Sequence, residues 1–118
     1  MNTTQVDPYQ MTCHRDGFVS AVPSLSADEA AVHRRRMEAA EARYGELHYL
    51  SKIHTPFRDA AELAMDERVL DVVERIIGPN ILLFDVTYIV KEAHTSAYAS
   101  WHQDLTYWGF SGDQQVSM

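Results

Sequence analysis

Small and apolar positions in this chain follow a helical period in its first two thirds and lose that period afterwards. Ser26 is a good helix N-cap, and Glu29 stands three places later in a capping-box arrangement. From Ala27 to about Arg43 the chain is rich in Ala, Glu, Arg and Met, which are strong helix formers, and Gly45 lies where a C-terminal cap belongs. A second helix is predicted from Thr55-Pro56, with Thr as cap, Pro at the first helical position, and Phe57, Ala60, Ala61 and Ala64 along one side. A third is predicted from about Asp66 to Ile77. There Val69, Leu70, Val72, Val73, Ile76 and Ile77 form a broad apolar face, and Gly78-Pro79 stops it.

From Ile81 to Lys91 the residues are β-branched and aromatic without helical spacing, which predicts a buried strand. Ala93 to Ser100 is small and polar and reads as a loop. Ser100 to Trp108 reads as another strand or strand end, and Gln115-Val116-Ser117-Met118 as the start of a third. Helices first and strands afterwards predict an α+β chain. Three units follow: a loose N-terminus over 1–12, a mainly helical part over 13–80, and strands over 81–118. A sheet that begins so late has too few strands to stand alone, so the sequence reads as part of a single larger domain.

The 118 residues are 46% apolar, which excludes a disordered tail. Asp and Glu outnumber Lys and Arg by 17 to 10, for a formal charge of −7. That balance argues against a nucleic-acid partner, whose phosphates are met mostly by Lys and Arg. The one basic cluster, Arg34-Arg35-Arg36, is diluted by glutamates and reads as a solvated helix face. Cys13 is the only cysteine, so disulfides within the chain and cysteine-rich metal sites are excluded. There is no bilayer-spanning apolar run and no signal-peptide pattern at the N-terminus. A soluble cytoplasmic protein without a membrane partner is the expectation, and its oligomeric state is open.

The chemistry points to Trp101-His102-Gln103-Asp104. On a strand, residues two apart face the same side, so the His102 imidazole and the Asp104 carboxylate can converge on one metal ion. Such a pair is two thirds of the two-histidine, one-carboxylate triad that leaves iron positions open for cosubstrate and oxygen. The alternative is a histidine hydrogen-bonded to a local carboxylate. A second H-x-D, His14-Arg15-Asp16, sits beside turn chemistry at Gly17 and reads as structural; the glycine-rich loop and strand lysine of a kinase are missing.

Three runs occur in order: Gly78-Pro79-Asn80-Ile81-Leu82-Leu83, then Tyr88-Ile89-Val90-Lys91-Glu92, then Ser100-Trp101-His102-Gln103-Asp104-Leu105-Thr106-Tyr107-Trp108-Gly109. Together with Asp16-Gly17-Phe18-Val19 and the stretch from His54 to Val73, they resemble the phytanoyl-CoA dioxygenase family over about residues 14–118. The resemblance implies helices followed by the first strands of a double-stranded β-helix, the jelly-roll or cupin-like barrel. It also implies iron(II) held by His102, Asp104 and a second histidine. 2-Oxoglutarate would be the cosubstrate, with its far carboxylate on an arginine shortly after that histidine. Neither of these two partners follows Asp104 in this sequence.

Further roles follow from the resemblance. Lys52 occupies a place comparable to a family lysine that contacts the cosubstrate, with a plain surface lysine as the alternative. Tyr88 is a candidate to face the cosubstrate or to pack in the core. Gln103 points away from the metal if His102 points toward it, which suits a supporting role. Tyr107 and Trp108 are candidates to line a substrate mouth, or a purely structural pair.

The implied activity is hydroxylation of an unactivated C–H bond in a small organic substrate, using O2 and converting 2-oxoglutarate to succinate and CO2. A related halogenase normally loses the carboxylate ligand, and Asp104 is present. With two ligands only, the 118 residues are expected to be inactive alone. The rival reading is a jelly-roll module that binds without catalysing.

Overall fold

The computed structural model describes residues 7–112 and 114–118. Among the described residues five helices follow one another: α1 (Pro8–Asp16), α2 (Ala27–Tyr44), α3 (Arg58–Ala64), α4 (Glu67–Ile77) and α5 (Asp104–Trp108). No helix of the described residues is long and apolar enough to cross a membrane.

The first helix replaces half of the expected loose N-terminus; residues 1–6 lie outside the described ones. Asp7 caps it, accepting from the Tyr9 amide at 2.8 Å, and Pro8 fills the first turn, where no amide is needed. A distant partner fixes it. Arg75 of α4 pairs with Asp7 at 2.8 Å and places its guanidinium 4.1 Å from the Tyr9 ring centroid. The Gln10 amide also reaches the Ile76 carbonyl. None of these contacts is local in sequence.

The long helix α2 starts as expected. The Glu29 amide donates to the Ser26 hydroxyl at 3.2 Å, and the Ser26 amide donates to the Glu29 carboxylate at 2.8 Å. Arg68, at the start of α4, joins the same corner through Glu29 at 3.1 Å and Asp66 at 2.7 Å. The middle of α2 is tied to α3 through Asp59, which accepts from His33 at 3.1 Å and from Arg36 at 2.7 Å. Burial works to raise the Asp59 pKa, but Arg36 and His33 outweigh it and the carboxyl is held below its ordinary value.

The helix expected with Thr55 as cap and Pro56 as first residue begins two residues later, with Phe57 at the cap position. Thr55 is spent on a turn instead: its amide and hydroxyl both donate to the Lys52 carbonyl, at 3.0 and 2.9 Å. The fourth helix matches its expected span, with Asp66 as cap and Gly78 as stop.

The region expected to form strands differs most. Among the described residues there are isolated strand-like contacts and no strand. Residues 81–91 run alongside the loop 47–53 through one parallel bridge, His48 with Tyr88. The Tyr49 amide donates to the Tyr88 carbonyl at 3.0 Å and the Ile53 amide to the Val86 carbonyl at 3.1 Å. The Val90 amide closes the far end on His48 Nδ1 at 2.9 Å. One ragged neighbour does not make a ladder, and Leu82 remains 85% exposed. Residues 104–108, expected as strand, form α5. Without a paired edge the local bonds of a helical turn win, and Gly109 at φ 68° ends it.

The core is small. Leu47, Ile53 and Ala60 are buried, with Met37, Ala40, Phe57, Val86 and Tyr88 packed around them. It thus lies where α2, α3, the 47–53 loop and the 81–91 segment meet.

Candidate metal centre

His102 and Asp104 are brought together, by a route other than the strand. Gln103 is extended (φ −117°, ψ 119°) and serves as the N-cap residue of α5, while Asp104 begins the helix. One extended residue between them keeps both side chains on one side. His102 Nε2 lies 3.0 Å from Asp104 Oδ1, and both side chains are substantially exposed.

The other ring nitrogen decides what this contact means. His102 Nδ1 lies 2.7 Å from the Ser100 carbonyl oxygen, which can only accept. Nδ1 therefore carries the hydrogen. In a neutral ring Nε2 then presents a lone pair to a carboxylate oxygen, and two acceptors face each other. The contact becomes favourable only with positive charge between them, a proton or a metal ion. Both influences act on the ring: the Ser100 carbonyl first, and then the negative charge of Asp104, raise the His102 pKa above its ordinary value.

A ligating histidine commonly donates its second N–H to a backbone carbonyl, which fixes the tautomer and turns the free nitrogen toward the ion. Ser100 does this here. Two cis ligands, each about 2.1 Å from a small octahedral ion, stand about 3.0 Å apart. The separation of Nε2 and Oδ1 fits an ion as well as it fits a proton. Asp104 Oδ2 is engaged too, accepting a short hydrogen bond from the Ser117 hydroxyl. Among the described residues no third His, Cys, Asp or Glu completes the group.

The remaining candidates fall into two places. Tyr107 and Trp108 follow on α5, edge to face with centroids 5.2 Å apart. Trp108 also stands 5.2 Å from Phe84, which packs on Phe110 at 4.6 Å. The Lys52 ammonium joins this aromatic group, 4.4 Å from the Phe84 ring centroid and 2.7 Å from the Phe84 carbonyl oxygen. Around it, the Lys52 amide and the Ser51 hydroxyl both donate to the Asp85 carboxylate. Lys52 and Trp108 thus share Phe84. Tyr88, in contrast, packs against the Leu47 and Ile53 core, where burial raises its phenol pKa. Among the described residues no hydrogen bond joins Lys52 or Tyr88 to His102 or Asp104.

At the other H-x-D, Arg15 occupies both Asp16 oxygens at 2.7 Å, leaving that carboxylate committed to a surface ion pair. Sequence reasoning missed Ser100, Ser117 and Phe84. The Ser100 contact is made by a carbonyl, which every residue carries, so no residue type advertises it. Ser117 lies 13 positions from Asp104, a spacing without a local rule.

Comparison with known proteins gives one positive finding. A family model described as phytanoyl-CoA dioxygenase (PhyH) matches residues 5–117. No curated protein and no solved structure matches significantly.

Proposed function

The chain belongs to the phytanoyl-CoA dioxygenase family, a family of oxygenases, and from that premise we propose that it carries the first half of an iron(II)- and 2-oxoglutarate-dependent hydroxylase centre. The observation that carries this reading is the His102 imidazole, hydrogen-bonded through Nδ1 to Ser100 with Nε2 turned onto the Asp104 carboxylate. A neutral histidine and an ionised carboxylate are donors suited to iron(II). When bound, the iron supplies activation of O2 for attack on an unactivated C–H bond of a small organic substrate, coupled to decarboxylation of 2-oxoglutarate to succinate.

The chain's own residues have definable tasks. Ser100 holds the His102 tautomer, and Gln103 sets the extended step that aligns the two ligands. Tyr107, 83% exposed, and its neighbour Trp108 offer an apolar wall with a polar edge beside the ligands, as a substrate mouth requires. Lys52 holds its ammonium on a neutral carbonyl oxygen. A cosubstrate carboxylate is a stronger acceptor for that charge. The reading also requires a second histidine and a basic carboxylate clamp that the described residues do not place at the site. The same shortage of ligands is what favours a non-catalytic binding module as the competing reading.

The test is anaerobic titration of iron(II) into the chain, with and without 2-oxoglutarate. Binding by the wild type that is lost in His102→Ala supports the proposal, and equal binding by both proteins ends it. With two protein ligands the chain alone is expected to release no succinate. Turnover would show that the residues present suffice.

A further inference from the structure

We propose that Ser117 is a positioning residue that fixes Asp104 as a one-oxygen metal ligand; this rests on the metal-centre reading above. An ionised carboxylate has two equivalent oxygens and can grip an ion with one or with both. Gripping with both would fill a coordination position that the cosubstrate or oxygen needs. The structure divides the two oxygens between different tasks. Oδ1 faces His102 Nε2, and Oδ2 accepts the Ser117 hydroxyl.

A hydroxyl donating to an ionised oxygen makes one of the stronger hydrogen bonds in proteins. It draws electron density onto Oδ2 and opposes rotation of the carboxylate about its last torsion. Oδ1 is thereby left aligned with the imidazole. Ser117 itself is exposed, while Gln115 and Val116 before it are half-buried. Its hydroxyl has one acceptor, Asp104, and lies outside the Leu47, Ile53 and Ala60 core. The contact therefore bears on the ligand more than on packing.

The experiment compares the wild-type chain with Ser117→Ala and Ser117→Thr. Mn(II) binding is measured from the loss of the free-ion paramagnetic resonance signal. A local readout accompanies it, the paramagnetic broadening of the His102 ring resonances. Loss of a supporting hydrogen bond to a ligand typically weakens metal affinity by about 10- to 100-fold. Ser117→Ala is expected to raise the Mn(II) Kd about tenfold and to demand correspondingly more Mn(II) for the His102 broadening. Ser117→Thr, which keeps the hydroxyl, is expected to stay within about twofold of wild type, since the bond to the ligand is retained. Circular dichroism matching the wild type excludes unfolding as the cause. Wild-type affinity in Ser117→Ala, or equal losses in the alanine and threonine variants, overturns the role of Ser117 and leaves the metal centre standing. Failure of the wild type itself to bind Mn(II) overturns both.

Discussion

Nε2 of His102 stands 3.0 Å from Oδ1 of Asp104 while the Ser100 carbonyl holds Nδ1 at 2.7 Å. Both contacts favour the protonated ring, so the His102 pKa is raised. The contribution of this group to stability is then full below the ordinary histidine value of about 6.5 and is lost as pH rises through the raised one. Metal binding has the opposite dependence, because the ion displaces that proton and its affinity climbs over the same interval. NMR titration of the ring should give a lower His102 pKa in Asp104→Asn than in the wild type. An unchanged value would mean that the carboxylate does not face the ring in solution.

Arg68 serves two carboxylates at the corner of α2 and α4. Its hydrogen bond, followed by those from Ser26, lowers the Glu29 pKa to about 2. Asp66 is lowered to about 2 as well, first by the Arg68 side chain and then by the Arg68 amide. Groups lowered in the fold stabilise it above their unfolded values, and that support disappears as pH falls from the ordinary carboxylate range toward about 2. Arg68→Ala is expected to raise both pKa values and to make the acid transition begin at higher pH. Carboxyl-carbon NMR and a pH melt followed by circular dichroism measure the two effects. A transition that keeps its midpoint would place the acid sensitivity elsewhere.

Two glycines should differ in their tolerance of alanine, although an added Cβ meets nothing within 4 Å at either. Gly78 ends α4 at φ 86°, ψ −179°, a region open essentially to glycine alone. Gly17 ends α1 at φ 80°, ψ −3°, close to the left-handed well that other residues visit at lower cost. Gly78→Ala is expected to cost about 1–3 kcal/mol, and Gly17→Ala about 1 kcal/mol. Urea unfolding of both variants measures the order, and a reversed order would contradict the backbone argument.

Local chemistry made the helices legible in the sequence. Ser26 with Glu29, and Asp66 with Gly78, act within a few residues of themselves, so α2 and α4 begin and end close to where their caps stand. Where a distant partner decides, local reading went astray. The first helix depends on Arg75, a residue 68 positions from Asp7. Thr55 had two plausible uses, a cap or a turn, and the turn onto Lys52 won. For 81–91 the β-branched and aromatic content predicts a strand, and 100–108 is expected as a strand or strand end, yet among the described residues neither forms one. A strand exists only against a neighbour, and sequence composition does not supply one.

The two-residue spacing of His102 and Asp104 brings their side chains together without a strand. A single extended residue between them suffices, and Gln103 is extended even though α5 follows. Lys52 and Tyr88 were legible only as residue types. Which of them approaches the α5 aromatics depends on how the 47–53 loop folds against 84–88, and Lys52 does so through Phe84.

The ragged pairing of 81–91 has a practical consequence for the behaviour of this chain at high concentration. One edge of that segment meets the 47–53 loop, and among the described residues the other has no strand beside it. Leu82 and Ile89 stand 85% and 62% exposed along it. Unsatisfied amides and carbonyls beside sticky side chains form a template for self-association between molecules. Lys91, the last residue of the segment, and Glu92 immediately after it carry charge at that end, so their neutralisation should bring on precipitation sooner.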